Sequence, residues 1–193
     1  MSEKGGPPIL DLASREDWEA WLAEQHASSD GIWLRIARKG STEESPSKAD
    51  ALEVALLYGW IDGQSRSLDT EFWLQKFTPR RARSMWSKIN RAKATELIAQ
   101  GRMQPAGLRE VERAQADGRW DAAYDAPSSA TVPEDLQREL DGNEGARAFF
   151  SGLDRQNRYA ILHRIQTAKR PETRARRIAQ FVALLAEGKK LYP

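Results

Sequence analysis

Trp60-Ile61-Asp62-Gly63-Gln64-Ser65-Arg66-Ser67-Leu68 and Phe72-Trp73-Leu74-Gln75-Lys76-Phe77-Thr78 are two strand-like runs separated by Asp69-Thr70-Glu71. Rich in aromatic residues and bounded by Gly59 and Pro79, they read as a β-hairpin. Strict alternation along the first run puts Trp60, Asp62, Gln64 and Arg66 on one face. On the second run Phe72, Leu74, Lys76 and Thr78 share one face, and Trp73, Gln75 and Phe77 the other. Ile32-Trp33-Leu34-Arg35-Ile36-Ala37 adds a third strand, and together the three predict a small antiparallel sheet.

The flanking segments supply helices to cover it. Ser14 with Asp17 reads as a capping box ahead of Trp18, Trp21 and Leu22. Ser47 and Asp50 repeat the signal before Ala51 to Leu57, a run apolar on more than one face and therefore expected to be buried. Ser84 or Ser87 caps a helix reaching Gln100, and Pro105 starts another that stops at Gly118. Pro127-Ser128-Ser129-Ala130-Thr131-Val132-Pro133 has linker composition, and only helical patterns follow it. The expected fold is α+β, a small antiparallel sheet packed with helices plus a helical C-terminal unit. The expected organisation is a disordered tail at 1–9, an α+β domain at 10–126, a linker at 127–133 and the helical unit at 134–193.

Composition excludes several functions. A chain of 193 residues with 40% hydrophobic content is long and apolar enough for a packed core. Cysteine is absent, so disulfides, thiolate zinc sites and thiol catalysis are excluded. The two histidines, His26 and His163, are far apart and suggest no metal site. No apolar run approaches the roughly 20 residues that cross a bilayer. The start has no secretory layout, and the chain reads as cytoplasmic. No P-loop, dinucleotide-binding glycine pattern, zincin motif or nucleophile elbow occurs, and no cofactor is expected.

The net charge of +2 hides segregation along the chain. Residues 76–93 carry Lys76, Arg80, Arg81, Arg83, Lys88, Arg91 and Lys93 with no acid. Residues 155–178 carry Arg155, Arg158, Arg164, Lys169, Arg170, Arg174, Arg176 and Arg177 against Glu172 alone, while residues 107–144 lean acidic. Two readings stand side by side. The basic segments pair with the acidic one or are solvated, or they present arginine forks to an external phosphate or carboxylate.

The candidate ligand-binding residues are Trp60, Asp62 and Gln64 on the sheet, with Arg80, Arg81, Ser84, Trp86, Ser87 and Lys88 in the following loop. In this reading Arg80, Arg81 and Lys88 hold an anion, the serines donate hydrogen bonds, and Trp60 or Trp86 stacks on a planar group. Arg80 and Arg81 are then expected to be largely solvated. The structural alternative is that the aromatics are core, the serines are caps, and Asp62 pairs with Arg80. A nucleic-acid binder using both basic segments is a second reading. An enzyme using Asp62 as general acid or base is a third, which requires a second titratable group within reach.

Several of these motifs are shared with a known family. Trp60 to Gln64, Phe77 to Arg81, Ser84 to Asn90, Gly101 to Gly107 and Gly118-Arg119-Trp120 with Tyr124 resemble the YdeI/OmpD-associated (OmdA-like) bacterial family. So does the tail from Phe149-Phe150 through Arg158-Tyr159 to Arg177-Ile178. The resemblance implies a link to bacteriocin protection and to an outer-membrane porin. It carries over no catalytic residue and no cofactor. The expectation is a small binding protein for an anionic ligand or protein partner, connected to stress or antimicrobial-peptide tolerance.

Overall fold

The computed structural model describes residues 6–193, and the chain divides into two compact units. Residues up to Trp86 group with Asn90–Ala122, and Ser87–Ile89 group with Ala123–Pro193. The first unit runs β1 (Ile9–Leu10), α1 (Arg15–Gln25), β2 (Ile32–Ala37), α2 (Lys48–Leu57), β3 (Trp60–Ser67) and β4 (Phe72–Pro79). Most of α3 (Lys88–Ala99) and all of α4 (Pro105–Ala116) complete it. The second contains α5 (Glu134–Asp141), α6 (Glu144–Ser151), α7 (Arg155–Gln166) and α8 (Pro171–Ala186). The fold is α+β, with an all-helical C-terminal unit.

The sheet order is β1-β2-β4-β3. β4 pairs antiparallel with both β2 and β3, as the hairpin reading requires. The added edge is parallel: Ile9 stands opposite Trp33 and Leu10 opposite Leu34. The sheet is therefore mixed, and the tail read at 1–9 stops short of Ile9. The Trp33 N–H donates to Pro8 O at 2.8 Å, which fixes the chain before the strand begins. Residues 1–5 of that tail lie outside the described residues.

One face of the sheet is covered by α1 and α2. Ile32, Leu34, Ile36, Phe77 and Trp60 pack with Trp18, Leu22, Ala51, Val54 and Ala55. The capping box of Ser14 and Asp17 forms as read and starts α1 so that Trp18 and Leu22 face inward. The Trp18 indole donates to Ala51 O and the Trp60 indole to His26 O, both at 3.1 Å, so neither buried N–H is wasted. Gly59 turns the chain out of α2 at φ +74, and α4 lies so close that a Cβ on Gly107 would strike the Leu57 carbonyl.

Strict alternation fails on β3. Asp62 stands opposite Phe77 but Ser65 opposite Gln75, so one extra residue is inserted between them. A one-residue slip reverses every later side chain. Trp60 and Asp62 remain on the core side, whereas Arg66 lies opposite Leu74 on the other face. The single face of Trp60, Asp62, Gln64 and Arg66 read from the sequence is thus broken. Gln75, 1% exposed, seals the bulge. Its Nε2 lies 2.9 Å from Gly63 O, 3.2 Å from Gln64 O and 3.3 Å from Lys76 O.

A second polar contact holds the helices. Glu53 on α2 accepts from Arg102 Nη2 at 2.7 Å, Lys93 Nζ at 2.9 Å and Arg15 Nη2 at 3.1 Å. Three cations around one largely buried carboxylate, the Lys93 hydrogen bond foremost, hold its pKa down at about 2.

In the C-terminal unit Leu136, Leu140, Phe150, Ile161, Leu162, Ile165, Ile178, Phe181 and Leu185 form a separate core. Asn143 and Asp154 cap α6 and α7. Asn157, 2% exposed, accepts from Leu191 N at 3.0 Å and Tyr192 N at 2.9 Å, and donates to Tyr192 O at 3.2 Å. One buried amide therefore straps the last residues onto α7.

Candidate anion-binding surface

The nine candidates from the sequence fall into both units. Trp60 and Trp86 are each 1% exposed and belong to the interior, so neither offers a stacking face. Arg80 is 5% exposed, which overturns the expectation that it is solvated. Its guanidinium carbon lies 3.5 Å from the Trp86 ring centroid, and its Nη1 donates to Met85 O at 3.2 Å. An aromatic face and a carbonyl thus stand in for water around part of the guanidinium. Arg81 is exposed, but its N–H is held by Ser84 Oγ at 2.9 Å, so that hydroxyl closes a turn. Ser84 O accepts from Arg119 Nη1 at 2.7 Å, and Arg119 Nε is held by the Asp117 carboxylate. Buried Arg119 was not picked out as a site residue, although Gly118-Arg119-Trp120 stood out in the sequence. Trp120 meets Trp86 edge-on at 4.8 Å.

On the sheet, Gln64 is exposed within the bulge and its carbonyl is taken by Gln75. Asp62 is half-buried and makes no hydrogen bond or ion pair with another described residue, so the Arg80 pairing weighed as its structural role does not form. Ser87 forms a parallel bridge with Tyr124, and Lys88 spends its charge on Asp125 at 2.6 Å. Asp125 also accepts from Gln166 Nε2 at 2.7 Å, and these contacts, the Lys88 hydrogen bond first, lower its pKa. Lys88 is thus one case of a basic residue paired with the acidic 107–144 stretch.

The other basic segment makes one such pair as well. Among the described residues, one of its eight cations meets a carboxylate: Arg174 makes a two-pronged contact with Asp135 at 2.5 and 2.8 Å. Arg155, Arg158, Arg164, Lys169, Arg170, Arg176 and Arg177 make no ion pair with a described acid. Arg158 lies over Phe150, and Arg177 donates to the Arg164 carbonyl, which brings those two arginines together. Lys169, Arg170 and Arg176 are exposed around the α7–α8 turn. Arg170 is the N-cap of α8 and supplies no side-chain cap, Pro171 follows it, and Glu172 is the acid of the first turn. Cations beside a helix N-terminus repel its dipole, and Glu172 in the first turn offsets part of that repulsion.

His163 sits next to this cluster. Its ring meets Tyr124 edge-on at 4.7 Å and Tyr159 at 5.6 Å. Burial, with Arg164 and Arg177 nearby, pushes its pKa below the ordinary value. Among the described residues no group of three or more His, Asp or Glu is placed to hold a metal, and no helix is long and apolar enough to cross a membrane.

A family model described as "Domain of unknown function (DUF8412)" matches residues 10–110, more than half of the chain. A second, described as "Bacteriocin-protection, YdeI or OmpD-Associated", matches residues 129–188. The resemblance read from the tail is thereby borne out, and the motifs at 60–107 fall in the stretch matched by the first family. No curated protein and no solved structure matches the chain. The unpaired arginines of α7 and α8 lie inside the second match.

Proposed function

The chain belongs to the DUF8412 family and carries at 129–188 an OmdA domain, a family linked to bacteriocin protection, and from that premise we propose that it is a binding protein for an anionic partner. The recognising surface is the α7–α8 turn, with Lys169, Arg170 and Arg176 exposed and Arg164 and Arg177 beside them. Seven of the segment's eight cations make no ion pair with a described carboxylate, and that carries this reading. Arg81 and Arg83 in the first unit are exposed as well. The role fits tolerance of bacteriocins or other stress through capture of an anionic group.

The test is retention on a sulfated polyanion matrix. The full chain is expected to bind at low salt and elute as counterions compete. The K169E/R170E/R176E variant is expected to elute at markedly lower salt with its far-UV spectrum unchanged. Flow-through of the unaltered chain at low salt overturns the proposal.

A further inference from the structure

Between α7 and the strapped C-terminal residues lies a cavity of about 300 Å³, lined by Gln156, Tyr159, Ala160, His163, Arg164 and Tyr192. That is the size of a small-ligand site at the lower end of the usual range. We propose that this cavity binds a small aromatic oxyanion, a ring bearing a phosphate or carboxylate, with the ring between Tyr159 and Tyr192 and the anion on Arg164 and His163. The proposal rests on the anion-binding reading above and names a ligand class for one part of that surface.

Three observations carry it. First, the wall is built rather than incidental. Buried Asn157 makes three hydrogen bonds to the Leu191–Tyr192 backbone, and the Tyr192 hydroxyl then meets Arg164 Nη2 at 3.1 Å. Second, the lining combines flat apolar rings with a guanidinium and an imidazole. Rings take a planar group, and the two nitrogen bases take its charge. Third, the charges facing His163 are of one sign. On its own helix it meets Tyr159 and Arg164, from α8 Arg177, and from the segment before α5 Tyr124. The Asp125 carboxylate is engaged by Lys88 and Gln166, and the Asp125 backbone carbonyl accepts the Tyr159 hydroxyl at 2.9 Å. An anion in the cavity supplies the missing counter-charge. It also favours protonated His163, so binding takes up a proton and strengthens as pH falls.

The experiment follows the two histidine ring signals by NMR while the full chain is titrated with AMP, 4-hydroxybenzoate, inorganic phosphate and adenosine. Saturable shifts at His163 and not at His26 are expected with AMP or 4-hydroxybenzoate, the two arms separating a phosphate from a carboxylate source. Affinity is expected to exceed that of phosphate or adenosine by about tenfold, the worth of one good stacking or charge-assisted contact. The His163 pKa is expected to rise on saturation. R164Q is expected to weaken binding, and Y192F, which keeps the ring, to retain most of it. Ring-bearing anions that bind no better than phosphate, or that leave the His163 pKa unmoved, overturn the proposal. A chain retained on the polyanion that shows no such binding loses the cavity but keeps the surface. A chain that binds neither loses both.

Discussion

The Arg80 guanidinium lies over the Trp86 ring at 3.5 Å, and both side chains are buried. An arginine that the sequence offers as an anion hook is used inside the first unit as a staple. Its contact with Met85 O, together with Arg119 on Ser84 O, ties the carbonyls of the 80–86 loop to charged donors.

R80A is therefore expected to destabilise the protein by about 1–3 kcal/mol, the sum of a desolvated cation–π contact and a charged hydrogen bond. R81E, at an exposed position, is expected to stay within about 0.5 kcal/mol. Urea unfolding of the two single variants separates them. Equal stabilities contradict the staple.

Gln75 is expected to resist replacement by an apolar side chain of similar size. Q75L leaves three carbonyls at the bulge without its donor and is expected to cost about 1–3 kcal/mol. Amide exchange at 62–66 reads the local effect. Unchanged protection there means the bulge holds without the glutamine.

Glu53 sets an acid limb. Its pKa falls from 4.5 to about 2 on folding, so its contribution is fully present above pH 4.5 and is lost as pH falls through about 2. Because Arg102 and Lys93 are partly exposed, the contribution is set at about 2 kcal/mol rather than the full shift. E53Q is expected to lower stability at pH 7 by that order and to flatten the dependence between pH 4.5 and 2. A variant whose acid limb matches that of the unaltered chain refutes the assignment.

Asn157 is expected to govern the C-terminal strap. N157A removes a buried amide with three backbone contacts and is expected to cost about 1–3 kcal/mol and to free Tyr192 from Arg164. Limited proteolysis near residue 190 is the readout. Equal cleavage rates contradict the strap.

The sequence made some of this legible. Capping residues and breakers placed α1 and α2, and the aromatic runs on either side of Asp69-Thr70-Glu71 placed β3 and β4, because those signals are local. Ile9–Leu10 was missed because two residues carry no period and gain their strand from pairing with Trp33 and Leu34. The bulge was missed although Gly63 marked it, since glycine inside a strand signals such an insertion. Burial of Arg80 was not legible, because a guanidinium enters the interior only where Trp86 and Met85 O await it. That seven of the eight 155–178 cations make no ion pair with a described acid was likewise hidden. Charge segregation showed in the sequence, but the pairing of Lys88 with Asp125, Lys93 with Glu53 and Arg174 with Asp135 is visible only in the structure.

The most direct test of an anion-binding α7–α8 surface is a fluorescence-anisotropy titration of a labelled single-stranded oligonucleotide over a range of salt. The unaltered chain and the K169E/R170E/R176E and R81E/R83E variants are compared. The expected result is binding that weakens as salt rises, with both affinity and salt slope reduced strongly by the first variant and little by the second, since each lost phosphate contact lowers the slope by about one. Binding lost in R81E/R83E but kept in K169E/R170E/R176E, or no binding at low salt, contradicts the account.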